Sequence, residues 1–262
     1  MPSTANIPEI PAGHDLLAGK VVLVTAAAGT GIGFAAALRC VQEGAQLAIS
    51  DRHERRLQES AEQIAAQTGH HPLTILCDVT VESEVQRMVD VTVDHYGRLD
   101  VLVNNAGLGG EVSILEMTDE QWNTVLDVTL TGTFRCSRAA LRQMVKQGSG
   151  VVVNNASVIG WRAQPGQAHY AAAKAGVMAL TRSSAMDVAA YGIRVNAVSP
   201  SIAMHANLAK SAPPELLEQL SGNEAFGRAA EPAEIATVIA FLASDYSSYM
   251  TGEVVSVSSQ QA

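Results

Sequence analysis

The sequence predicts one doubly wound α/β domain on a parallel sheet of seven strands, and three observations carry that prediction. Apolar strand-like runs alternate with amphipathic stretches along the whole chain, the order that produces βαβ units with right-handed crossovers. The runs Val21–Thr25, Val101–Asn104 and Val151–Asn155 are nearly continuous in apolar residues, as strands covered on both faces must be. No internal repeat, low-complexity tract or linker divides the 262 residues, a length that one α/β domain can fill.

Taken in order, the strands end on chemically distinctive residues. Val21–Thr25 runs into Ala26-Ala27-Ala28-Gly29-Thr30-Gly31-Ile32-Gly33, and then into a helical stretch from Phe34 to Glu43. A glycine-rich turn between strand and helix lets backbone N–H groups approach a pyrophosphate at the positive helix end. Gln46–Ser50 leads to Asp51, whose carboxylate suits a ribose hydroxyl and repels a 2′-phosphate. Arg52, Arg55 and Arg56 follow, read with Glu54 as an exposed helix start. Leu73–Cys77 precedes Asp78-Val79, and Val101–Asn104 precedes Asn105-Ala106-Gly107. Val151–Asn155 leads to Ser157, Arg194–Val198 to Pro200, and Val254–Val257 closes the set. Pro232–Ser244 carries Ile235, Val238, Ile239 and Leu242 at helical spacing after a proline suited to a first turn. In a Rossmann-type sheet ligands bind at the carboxyl ends of the strands, so these residues are expected to form one site.

Composition narrows the function classes. Hydrophobic residues at 47% and charged residues at 16% fit a compact globule. A net charge of −9 argues against nucleic acid or an anionic membrane as partner. No apolar run reaches the roughly 18 residues that span a bilayer. Cys40, Cys77 and Cys136 are isolated and read as buried thiols of a reducing compartment, which places the protein in the cytoplasm. Residues 1–15 lack the basic and apolar regions of a signal peptide and read as a loose leader to a domain over 16–262. His70-His71 is followed by Pro72 with no further ligand nearby, so no metal site is expected.

Tyr170 and Lys174 are four residues apart, on one face if helical. A neighbouring ammonium favours the phenolate, lowering a tyrosine pKa from about 10 and suiting it to proton exchange with an alcohol or carbonyl oxygen. Ser157 can hydrogen-bond the same oxygen. His169 points away from Tyr170 on a helix and reads as a structural or subunit-contact histidine.

Together these motifs, with Arg194-Val195-Asn196 and Thr251-Gly252, resemble the short-chain dehydrogenase/reductase family from Leu16 to Val257. The resemblance implies an oxidoreductase that moves hydride between a nicotinamide cofactor and a secondary alcohol or ketone. It implies catalytic roles for Ser157, Tyr170 and Lys174. It also implies cofactor contacts from Thr25, Gly29, Thr30, Gly31, Ile32, Gly33, Asp51, Arg52, Asp78, Val79, Asn105, Ala106, Gly107, Tyr170, Lys174, Pro200, Ile202 and His205. NAD is expected before NADP because of Asp51, and a homotetramer is expected from the family.

The chain departs from the family pattern at three places. The first glycine of the turn is Ala26 with one residue inserted before Gly31, which leaves the role of Gly29 open. The usual Pro-Gly is Pro200-Ser201, and the usual threonine beyond it is His205. The fourth catalytic position, normally asparagine, is Thr129, which is shorter.

Within the family the likeness is greatest to actinobacterial enzymes of steroid ring C/D degradation that act on a hydroxy-indene-carboxyl-CoA. It is carried by the Ala-Ala-Ala-Gly-Thr-Gly-Ile-Gly turn, Asn154-Asn155-Ala156-Ser157-Val158 and Trp161-Arg162-Ala163. It implies a small-molecule substrate, a bulky alicyclic CoA thioester. Residues 201–228, with Leu208, Leu216, Leu217 and Leu220, are expected to form an apolar lid. Ile159, Trp161 and Met204 would add an apolar wall, and Arg162, Lys210 and Arg228 would offer cations to phosphates. Two alternatives stand beside this reading: an NADPH-dependent 3-oxoacyl-thioester reductase, and a non-catalytic dinucleotide-binding sensor.

Overall fold

The computed structural model describes residues 9–162, 164–204, 217, 221–222 and 224–259. The strands are β1 (Val21–Thr25), β2 (Gln46–Asp51), β3 (Leu73–Leu76), β4 (Val101–Asn104), β5 (Gly150–Asn155), β6 (Ile193–Pro200) and β7 (Val254–Val257). They form one sheet in the order β3-β2-β1-β4-β5-β6-β7, every neighbouring pair parallel. The expected seven-stranded, doubly wound sheet is therefore present. β6 runs two residues past the expected end because its last residue, Pro200, closes the pairing with Val257 at a strand terminus, where a missing N–H is tolerated.

The helices are α1 (Ile32–Gln42), α2 (Glu54–Thr68), α3 (Glu82–Tyr96), α4 (Asp119–Leu126), α5 (Gly132–Gln147), α6 (Ala168–Val188) and α7 (Pro232–Ala243). A π-helical turn, Asp127–Thr131, joins α4 to α5. Alternation along the strands divides the core in two. Val22 and Val24 of β1 and Val101 and Val103 of β4 face Ala36, Ile64 and Ile239 on α1, α2 and α7. Leu23 and Leu102 face the other way, with Met88, Ala140 and Ala185 on α3, α5 and α6. Apolar residues at both parities are what two covered faces require. Pro232 occupies the first turn of α7, and Glu231 and Glu234 cap that turn reciprocally.

The leader is tethered over part of its length. Glu43 accepts hydrogen bonds from the backbone of His14 and Leu16, while Arg39 donates to the Pro11 carbonyl and pairs with Glu43. Arg39 and Glu43 are both buried there. Cys40, Cys77 and Cys136 are buried and unpaired, as expected. Among the described residues no helix is long and apolar enough to cross a membrane.

Candidate active site

The strand order reverses between β1 and β4, and a cleft of about 510 Å³ opens above their carboxyl ends. Its walls include Gly31, Gly33, Asp51, Ser157, Tyr170 and Lys174. Residues drawn from four separate stretches of the sequence thus meet in one place.

One end is the glycine turn. Gly29 sits at φ +105°, a conformation that side-chain-bearing residues avoid, and its N–H donates to Ser60 Oγ at 3.0 Å. That answers the open question about Gly29: it carries the turn's unusual backbone. Ala26 also lies at positive φ, +50°, where the family glycine would be unstrained. At Gly33 a Cβ would fall 2.3 Å from Asn105 Nδ2 and 2.4 Å from the Ala26 carbonyl oxygen, so only glycine fits. Gly31 caps α1 with no side-chain hydrogen bond. The first N–H groups of a helix lack intrahelical partners, and here Gly31, Ile32 and Gly33 line the cleft. Such a helix start suits a pyrophosphate.

Beyond the turn a second cavity, about 200 Å³, is bounded by Asp51, Arg52, Arg56, Cys77, Asp78 and Val79. Asp51 accepts from the His53 N–H at 2.9 Å and, weakly, from the Ala28 N–H at 3.4 Å. Burial pushes its carboxyl above the usual value, against the pull of Ala28, Arg56 and Arg52. Arg52 and Arg56 are thus cavity residues as well as a helix start. Burial alone would raise Asp78 too. Two hydrogen bonds from Thr80, with Arg52 and Arg135, hold it below the ordinary carboxylate value.

The other end carries the chemistry. Ser157 follows β5 and starts a short 3₁₀ turn, Val158–Gly160, its oxygen accepting from the Ile159 N–H at 3.3 Å. Tyr170 and Lys174 lie on α6, with Lys174 Nζ 5.6 Å from the Tyr170 ring centroid. Lys174 is 3% exposed and donates to the Asn155 carbonyl at 2.5 Å. Burial brings its ammonium down to about 8. In the chain alone Tyr170 moves opposite to the expected direction. Burial pushes the phenol above 10, and only a Ser157 hydrogen bond works the other way. Loss of water around the phenolate is the larger effect.

Thr129 is not joined to Lys174. Its hydroxyl donates to the Leu108 carbonyl at 3.1 Å and accepts from the Leu108 N–H at 2.9 Å. Gly107 lies between them: a Cβ there would stand 3.4 Å from Lys174 Nζ and 3.8 Å from Thr129 Oγ1. Threonine therefore fastens the loop after β4 at the position where the resemblance implied a catalytic group. A Cβ at Gly109 of that loop would stand 3.7 Å from the Tyr170 ring, and one at Gly110 would stand 3.4 Å from Nε2 of the buried His169.

The remaining expectations divide. Thr25 joins β1 to the Asn105-Ala106 turn, accepting from both N–H groups at 3.0 and 3.2 Å. Ala106 and Gly107 border the smaller cavity; Pro200 and Ile202 line the larger. Thr30 is an exposed residue of the glycine turn. His205, Leu208, Lys210, Leu216, Leu220 and Ala163 lie outside the described residues. Arg228 does not present a free charge, because Glu234 holds it through two hydrogen bonds of 2.7 and 2.8 Å. Trp161 is 50% exposed. Among the described residues no cluster of His, Cys, Asp and Glu could hold a metal. Sequence reasoning missed Ser60, Asn155 and Gly109. Asn155 carried a signal, a second polar residue in an otherwise apolar strand.

Comparison with known proteins agrees with this geometry. A family model described as enoyl-(acyl carrier protein) reductase matches residues 26–259. A (5R,7aS)-5-hydroxy-7a-methyl-1-oxo-hexahydroindene-carboxyl-CoA reductase of Mycobacterium tuberculosis is 61% identical over 97% of both chains. A 3-oxoacyl-[acyl-carrier-protein] reductase of Thermotoga maritima is 39% identical over 92% of this chain and 97% of its own. Among solved structures, a short chain dehydrogenase from Mycobacterium smegmatis superposes with TM-score 0.88 at 56% identity, covering 99% of this chain and 100% of its own.

Proposed function

The chain belongs to the short-chain dehydrogenase/reductase family and is an oxidoreductase; from that premise we propose that it interconverts a ring ketone and a ring secondary alcohol on a bulky alicyclic CoA thioester of steroid ring degradation. The observation that carries the chemistry is the meeting of Ser157, Tyr170 and Lys174 at one end of a cleft whose other end is an uncapped helix start beside Asp51. The 61% identity to an indene-carboxyl-CoA reductase supports the substrate class.

A bound nicotinamide dinucleotide supplies or accepts the hydride. Gly31, Ile32 and Gly33 would hold its pyrophosphate, and Asp51 the adenosine ribose. Ser157 donates a hydrogen bond to the substrate oxygen. Tyr170 gives that oxygen a proton in reduction and takes one in oxidation. Lys174, charged below about 8, faces the developing phenolate. NAD is the preferred dinucleotide on the Asp51 argument, which Arg52 and Arg56 oppose. A cytoplasmic homotetramer completes the reading on family likeness, and light scattering tests its size.

The decisive assay follows absorbance at 340 nm with NAD(H) or NADP(H). The substrates are alicyclic CoA thioesters, their free acids and straight-chain 3-oxoacyl thioesters. Turnover of the alicyclic thioester with little on the free acid is expected. Equal activity on the free acid would remove CoA from the reading. Activity on straight-chain thioesters alone would favour the fatty-acid alternative, for which the Thermotoga relative speaks.

A further inference from the structure

Two consecutive asparagines end β5, and both reach the same helix, Asn154 through its side chain and Asn155 through its backbone carbonyl. Asn154 pairs in register with Asn104 of β4, accepts its amide at 2.8 Å and donates to Thr181 of α6 at 2.9 Å. Asn155 receives Lys174, seven residues earlier on α6, through its backbone carbonyl. Its side chain reaches the other way, Nδ2 donating to Asn105 Oδ1 at 3.0 Å. Asn105 in turn donates to the carbonyls of Ala26 at 3.0 Å and Thr25 at 3.3 Å.

The orientation of these amides is forced. The carbonyls of Thr25 and Ala26 can only accept, so the nitrogen of Asn105 must face them and its oxygen must face Asn155. Asn155 must then present its nitrogen, which leaves its own Oδ1 buried and without a partner. A buried acceptor without a hydrogen bond is unfavourable and calls for an explanation. An apolar residue would continue the pattern of Val151, Val152 and Val153 without that penalty.

We propose that Asn155 is a positioning residue for Lys174: its side chain, locked through Asn105 to the glycine turn, fixes the peptide whose carbonyl holds the lysine ammonium. The unpaired Oδ1 is the consequence of keeping the brace. One continuous chain of contacts, Ala26–Asn105–Asn155–Lys174, then makes the cofactor-binding turn and the proton-transfer group a single rigid unit. This rests on the reading of Lys174 given above.

The test is Asn155→Leu, which keeps the branched shape and removes both amide ends, measured two ways. The first needs no turnover: acetic anhydride labelling of Lys174 across pH, read by peptide mass mapping. Burial sets the lysine's titration and Tyr170 is its titratable neighbour on α6. Loosening the carbonyl disfavours the ammonium, so the titration moves down and labelling at pH 7 speeds up by about threefold, half a pH unit. The second is steady-state kinetics, where kcat falls by about tenfold or more while KM for the dinucleotide stays within about threefold, as expected for a misplaced group. Wild-type labelling together with wild-type kcat overturns the proposal. If labelling shifts but the wild type turns over no alcohol or ketone with either dinucleotide, the brace stands and the functional reading falls. Asn155→Asp covers the case in which the leucine variant does not fold. It preserves shape but sets oxygen against Asn105 Oδ1, so kcat falls although the added charge alone would retain the lysine proton. Undiminished kcat in that variant also overturns the proposal.

Discussion

The glycine turn and the Thr129 position each depart from the family pattern, yet the structure answers the two departures differently. In the turn the departure is one of backbone. Ala26 stays in the left-handed region, Gly29 supplies the second unusual conformation, and Ser60 receives the N–H that this conformation exposes. The turn's task is preserved because many backbones can present N–H groups to an anion. At Thr129 the departure is one of side chain. Its hydroxyl hydrogen-bonds both the N–H and the carbonyl of Leu108, so it fastens the loop over Tyr170. Backbone roles are replaceable by neighbours; a side-chain role goes with its atoms.

That contrast has sharp tests. The largest effect belongs to the residue both regions serve. Tyr170→Phe is expected to lower kcat by at least about a hundredfold with dinucleotide affinity nearly unchanged, as for loss of a general acid/base; half the wild-type rate would refute the assigned role. Thr129→Val keeps the shape and cuts both hydrogen bonds to Leu108. It should lower stability by about 2 kcal/mol, seen in urea unfolding, because the Leu108 groups lose their partner. Stability equal to wild type would mean the fastening is superfluous. Asp51→Ala is expected to narrow the NAD-over-NADP preference by about tenfold, roughly 1.4 kcal/mol of lost repulsion. A wild type that already prefers NADP would make Arg52 and Arg56 the determinants. The smallest effect is Ala26→Gly, which relieves a strained φ and should raise stability by up to about 1 kcal/mol, the strain being partly offset by glycine's extra freedom when unfolded. A clear loss of stability would show that Ala26 is not strained.

The sheet and the Tyr170–Lys174 pair were readable from sequence because each rests on short-range rules, whereas Ser157 joined them through the family resemblance. Apolar runs mark covered strands, and residues four apart on α6 share a face. Side-chain partnerships across distance were not readable. Ser60 meets Gly29 only after α2 folds back on the turn. Arg228 was a candidate phosphate ligand until the first turn of α7 brought Glu234 to it. The direction of the Tyr170 shift also needed three dimensions, since i,i+4 spacing shows a cation nearby but not how far water is excluded.

Thr25 has a further consequence for timescales. Its one hydroxyl accepts from the amides of Asn105 and Ala106 and is within 3.4 Å of the Val103 carbonyl. These two amides lie beyond the last β1–β4 pair, Val24 with Val103, at the place where strands ordinarily fray. With both fastened to a fully buried oxygen, their exchange with solvent deuterium should be governed by opening of the sheet rather than by local breathing. The floor of the cleft would then hold still through many turnovers, and motion needed to admit or release ligand would fall to segments that no such clasp restrains.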